Sequence, residues 1–155
     1  MRHLLFAIVL ICATPTFAGD LEPRAGWVVI KTDKAHTALT ADLKNAVKAH
    51  KMGVVTQASP TATARNRGID IPENRVIGVF NNDFAVKILA TSTAAMIEAP
   101  IRFYITENTD GSATLAYKIP SKVFAPYYNE GGDALKNLVA ELDRTFTGIA
   151  QDAIR

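Results

Sequence analysis

The chain has 155 residues, 17 Lys and Arg against 15 Asp and Glu, 48% hydrophobic residues and a single cysteine. That is the length of one domain, too apolar and too nearly neutral for a disordered chain, and without the paired cysteines of a disulfide scaffold. The small excess of basic residues is spread along the chain instead of forming a tract, which argues against a nucleic-acid binder.

Met1-Arg2-His3 is a short basic start. An uninterrupted apolar run follows from Leu4 to Ala13, then Thr14 to Ala18, with the small residues Thr16 and Ala18 where a signal peptidase reads. This order predicts a secretory signal over residues 1–18, cleaved near Ala18. The run is too short to span a bilayer, which takes about 20 residues. Cys12 lies inside it, so the mature form is expected to contain no cysteine. The expected location is the periplasm or the medium, with no membrane span in the mature form.

Residues 19–26 are a polar lead-in, and a single domain is expected over 27–155. Trp27 to Thr32 reads as a strand. Leu39, Leu43, Ala46, Val47 and His50 then recur at helical spacing, with Asp33 or Thr37 as the expected cap and Gly53 as the expected C-terminal glycine. Val54 to Gln57 is a second short strand. Ala58 to Ile71 reads as a short helix or turn followed by a loop. Arg75 to Phe80 is a third strand. It runs into a helix from Phe84 to about Thr91, with Phe84, Ile88 and Leu89 inward and Asn82 or Asp83 as its cap.

Ile101 to Thr106 and Ala113 to Ile119 form a hairpin about Thr109-Asp110-Gly111. A three-residue loop sets Asn108 against Ser112, Ile105 against Leu115, Phe103 against Tyr117 and Ile101 against Ile119. Every apolar residue then falls on one face, whereas a loop one residue shorter or longer mixes the faces. Such a loop takes a left-handed residue, which Gly111 supplies. Gly131-Gly132 reads as a hinge into a last helix with Leu135, Leu138, Val139, Leu142, Phe146 and Ile149 inward. The order β-α-β-β-α-β-β-α predicts an α+β fold with a mostly antiparallel sheet and helices packed on one face.

Catalytic signatures are missing. His36 and His50 stand at the two ends of one predicted helix, about 21 Å apart, and cannot share a metal. They read as helix-surface or boundary residues. No metal-ligand spacing, nucleophile elbow or phosphate loop is present, and no cofactor is expected. Two places hold interest. Asn81-Asn82-Asp83 opens a helix and reads either as a cap or as an anion-receiving loop. On the outward face of the hairpin, Arg102 falls opposite Lys118 with Tyr104 two residues along. Opposed like charges are unfavourable unless a carboxylate or ligand stands between them; Glu98, Glu107 or Glu130 could supply the carboxylate. Tyr127 and Tyr128 form an aromatic pair in a loop, read as core cover or as a groove lining.

The segments Gly78 to Leu89 and Glu98 to Ser121, with the extended start Val28 to Thr32, the helix Thr37 to Lys51 and the glycine at 53, resemble the bacterial domain-of-unknown-function family 302. The resemblance covers about Trp27 to Tyr128. Many members carry Asn-Pro after the third strand, where this chain has Asn81-Asn82-Asp83-Phe84. The resemblance implies a small α+β domain, often dimeric and often exported, with no established activity and no catalytic residues to carry over. Three readings follow: a non-enzymatic binding or accessory domain taking a small anionic or apolar ligand at Arg102, Tyr104 and Lys118; a structural homodimer formed through a sheet edge or the Pro126 to Gly131 loop; and a small hydrolase or isomerase using Asp83, Glu98 and Tyr104.

Overall fold

A computed structural model describes residues 20–155; the expected signal segment, residues 1–18, lies outside them. Five strands, β1 (Trp27–Lys31), β2 (Gly53–Ala58), β3 (Asn74–Phe80), β4 (Ile101–Glu107) and β5 (Ala113–Lys118), form one sheet in the order β1-β5-β4-β3-β2, with every neighbour antiparallel. Strands β1 and β2 are consecutive in the chain yet occupy opposite edges. They are four interstrand spacings apart, about 19 Å at about 4.8 Å each. The helix that joins them, α1 (His36–Ala49), has 14 residues and rises about 21 Å. Its length matches the crossing, so α1 lies across one face of the sheet and commits that face to the core.

Helix α5 (Tyr128–Ile154) packs on α1, and α3 (Asn82–Thr91) packs on α5. Leu39, Leu43 and Val47 of α1, and Leu135, Val139, Leu142, Phe146 and Ile149 of α5, are fully or nearly fully buried against Ile77, Val79, Phe103, Ile105, Leu115 and Tyr117 of the sheet. The expected helix positions of α5 are those that face inward. Two short helices complete the chain: α2 (Thr61–Asn66) between β2 and β3, and α4 (Pro120–Val123) after β5. Two single turns of tighter helix cover Ala94–Glu98 and Ala125–Tyr127.

The hairpin takes the expected register. Phe103 stands opposite Tyr117 and Ile105 opposite Leu115. The Asn108 N–H donates to the Ser112 carbonyl at 2.8 Å, and Gly111 holds φ +82°. In this backbone region a β-carbon is unfavourable, so glycine is the natural occupant.

Several local expectations are corrected. No side chain caps α1. Its cap is Ala35, while Asp33 stands two residues upstream and Thr37 inside the first turn, where neither can serve as the cap residue. The helix reverses at Lys51, φ 57°, not at Gly53, which opens β2. The reversal is closed by Met52 N–H donating to the Val47 carbonyl at 3.0 Å and Lys51 N–H to the Lys48 carbonyl at 3.0 Å. This six-to-one bond pattern places the left-handed residue at Lys51. Leu89 is 49% exposed, because α3 turns Ala85 and Ile88 inward and Leu89 lies past that face. Tyr127 and Tyr128 are not in an open loop; the one ends a helical turn and the other opens α5. Gly132, at φ 55° and ψ −148°, breaks the helix there, which is the expected hinge.

His36 is no surface residue. It is 5% exposed, and its Nε2 has no hydrogen-bond partner among the described residues; neither has Thr40 Oγ1 one helical turn on. Burial holds the imidazole pKa below its ordinary value, while the carboxylates of Glu73 and Glu107 favour the proton and Arg75 opposes it. A histidine whose folded pKa is depressed binds fewer protons folded than unfolded. Its stabilising contribution is therefore present above the unfolded pKa of about 6.5 and is lost as pH falls below it. The urea midpoint should accordingly drop between pH 7 and pH 5, and drop less in His36→Gln. Equal drops in the two proteins would contradict this placement of the proton.

Candidate functional site

Among the described residues the sheet's second face carries no long helix. The pairing registers arrange it in rows across the strands. One row reads Trp27, Lys118, Arg102, Gly78 and Thr56; the next reads Val29, Ala116, Tyr104, Val76 and Ala58; a third reads Lys31, Thr114, Thr106 and Asn74. The Arg102 and Lys118 positions are neighbours by continuation of the β4–β5 register. The first row is cationic, the second apolar, the third polar.

A groove of about 630 Å³ lies over the first two rows. Trp27, Val76, Arg102, Tyr104, Ala116 and Lys118 line it from the sheet. Ala25 and Gly26 close it beside β1, Lys122 and Val123 from α4, and Glu98 from the turn before β4. Its walls are set by local chemistry. Pro120 opens α4 at a helix start, where its missing N–H costs nothing. Ser121 N–H donates to Asp143 of α5 at 2.9 Å, fixing α4 beside the groove. Glu98 is held by the Tyr127 hydroxyl, which donates to Oε1 at 2.8 Å. That bond to a carboxylate raises the Tyr127 pKa. Ser92 donates to Glu130 at 2.6 Å, a second tie between this wall and the start of α5.

The groove's lining carries three cations, Arg102, Lys118 and Lys122, against one carboxylate, Glu98. Arg102, Lys118 and Lys122 form no ion pair among the described residues. None of the three carboxylates expected to neutralise Arg102 and Lys118 forms an ion pair with them: Glu98, in the groove, accepts from Tyr127, Glu130 accepts from Ser92, and Glu107 accepts the Glu73 N–H at 2.9 Å. Lys118 Nζ stands 5.6 Å from the Trp27 ring centroid and Arg24 5.3 Å from it. Cation–π contacts of this kind stabilise an exposed cation by about 0.5–1 kcal/mol without neutralising it.

Of the residues singled out in the sequence, Arg102, Tyr104 and Lys118 come together in the groove. Asn81, Asn82 and Asp83 do not line it. The cap of α3 is Asn81, not Asn82 or Asp83. Its side chain accepts from Asp83 N–H at 2.8 Å and Phe84 N–H at 3.2 Å, and donates to the Lys51 carbonyl at 2.9 Å. These bonds occupy donors an anion would need, so the loop is structural. Tyr127 acts on the groove only through Glu98, and Tyr128 donates to the Ser121 carbonyl at 3.0 Å. Glu98 and Tyr104 share the groove, whereas Asp83 does not, so the acid–base trio is not assembled there. No group of three metal-ligating side chains converges among the described residues.

Sequence reasoning missed Trp27, Val76, Lys122 and Val123. Trp27 reaches Lys118 only through the β1–β5 pairing, which no local pattern announces. Gly78 has no role legible in the sequence. A β-carbon there would lie 2.1 Å from Thr56 Oγ1 and 2.9 Å from Pro100 Cγ. Pro100 therefore lies directly over the sheet, and glycine is what lets the chain before β4 approach.

The fold and site define an α+β domain with a five-stranded antiparallel sheet, covered on one face and grooved on the other. Its likeness to solved structures agrees. The crystal structure of an uncharacterised conserved protein of the same kind from Bacillus stearothermophilus superposes with a TM-score of 0.73 at 16% identity, over 85% of this chain and all of that one. Residues 28–153 match the family described as Domain of unknown function DUF302, and the chain belongs to that family. No curated protein matches it.

Gly78→Ala should lower stability by about 1–3 kcal/mol, the range for overpacking a tight site, read from urea unfolding at constant slope. No loss of stability would show that Pro100 does not rest on Gly78.

Proposed function

We propose that this chain is an exported, non-enzymatic binding domain whose groove takes a small anionic ligand. The observation that carries this reading is the set of three cations, Arg102, Lys118 and Lys122, that line a groove of about 630 Å³ and form no ion pair among the described residues. That volume is within the range of about 300–1,000 Å³ usual for small-molecule sites. Two cations on neighbouring strands repel each other when the protein is empty. An anion between them removes that repulsion and gains charge-assisted hydrogen bonds, which are stronger than neutral ones. The Arg102 guanidinium offers paired donors suited to a carboxylate or phosphate, while Lys118 adds a point charge.

Export belongs to the same proposal and rests on the order of basic, apolar and small residues over 1–18. Mass spectrometry of the protein recovered from a periplasmic extract should give an N-terminus at or near Gly19. A chain retaining residues 1–18 in the cytoplasm would contradict it.

Anion binding is tested by thermal unfolding at constant ionic strength with increasing acetate or phosphate. Specific binding should raise the transition temperature saturably, and Arg102→Ala should lose the saturable part. Any general salt effect is common to both proteins. An identical response in Arg102→Ala would overturn the reading.

A further inference from the structure

We propose that the ligand of this groove is an amphipathic monocarboxylate: one anionic head on Arg102 and Lys118, and an apolar body laid across Tyr104 and Val76. The inference rests on the reading of Arg102 and Lys118 as an anion site and goes on to name the class of molecule. Three observations carry it. First, the cationic row and the apolar row are adjacent and parallel across the sheet, so a head held on the first row delivers whatever is attached to it onto the second. Second, beside the cationic row the groove is lined by the neighbouring Tyr104 and Val76, one interstrand spacing or about 5 Å apart, and the phenol ring widens that floor enough for a short acyl chain or an aromatic ring. A bare inorganic anion would leave this floor and most of the groove unused. Third, the groove is also lined by Glu98, a carboxylate that accepts from Tyr127. A second negative charge on the ligand would approach it, which favours a single carboxylate over a polyanion.

The groove also holds its own reporter. Trp27 is the one tryptophan of the chain, and Lys118 stands over its ring, so a ligand that draws Lys118 away changes the indole's surroundings.

The test is titration of the purified protein, followed by Trp27 emission, with acetate, octanoate, benzoate and neutral octanol. Octanoate or benzoate should bind about tenfold or more tightly than acetate, the gain expected from burying two or more methylene equivalents. Octanol should bind about tenfold more weakly than octanoate. Tyr104→Ala should bring the octanoate-to-acetate ratio towards one, and Tyr104→Phe, which keeps the ring, should retain it. A preference for octanoate over benzoate assigns an acyl body, and the reverse an aromatic one; both support the proposal. Equal affinity for acetate and octanoate, with both lost in Arg102→Ala, would overturn the monocarboxylate while leaving the anion site standing. Octanol binding as tightly as octanoate, or an unchanged ratio in Tyr104→Ala, would also overturn it. No saturable change with any of the four would overturn both readings.

Discussion

Phe103 is fully buried, stacked on Phe146 of α5 with centroids 4.8 Å apart and rings 9° from parallel, and tilted against Tyr117 at 5.1 Å. Tyr117 in turn meets Phe146 at 5.7 Å. Removing such a ring from a core typically costs about 3–5 kcal/mol, a large part of the marginal stability of a domain. This cluster fixes which way β4 faces. Side chains alternate along a strand, so with Phe103 inward Arg102 and Tyr104 must point outward, and a slip of one residue would exchange the two sets. The groove depends on a core contact made on the other face of β4.

The hairpin was legible in the sequence because one constraint decided it. Only a three-residue loop gathers Ile105, Leu115, Phe103 and Tyr117 on one face, and Gly111 has the freedom that loop needs. The inward face of α5 was legible for the same kind of reason: Leu135, Val139, Leu142, Phe146 and Ile149 keep helical spacing over many turns. From the hairpin alone Arg102, Tyr104 and Lys118 could be put on one surface. Their setting could not. Trp27 stands beside Lys118 because β1 pairs with β5 rather than with β2, its successor in the chain. That pairing is decided by how far α1 carries the chain across the sheet, a property of the whole fold.

The misread positions share a cause. Caps were sought among residues with the right chemistry, and at α1 the geometry left Ala35 in place with Asp33 too early and Thr37 too late. At α3 all three candidates had suitable side chains, and the end of β3 at Phe80 made Asn81 the one at the boundary. His36 reads in the sequence as a helix-surface or boundary residue because it stands at one end of its predicted helix. It is buried because α1 begins beneath Arg75 and Glu107 on the covered face of the sheet, where burial outweighs the attraction of the two nearby carboxylates. These are contacts between distant segments, and local periodicity does not encode them.

The central claim is that the uncovered sheet face, and not another surface, receives the ligand. Nitrogen–proton correlation spectra of the labelled protein during an octanoate titration test it most directly. The account predicts saturable shifts concentrated on the Trp27 indole N–H, the Arg102 side chain and the backbone of β4 and β5 near Tyr104 and Lys118, with α3 and its exposed Val86 and Leu89 unmoved. Shifts centred on α3, or scattered without saturation, would contradict it.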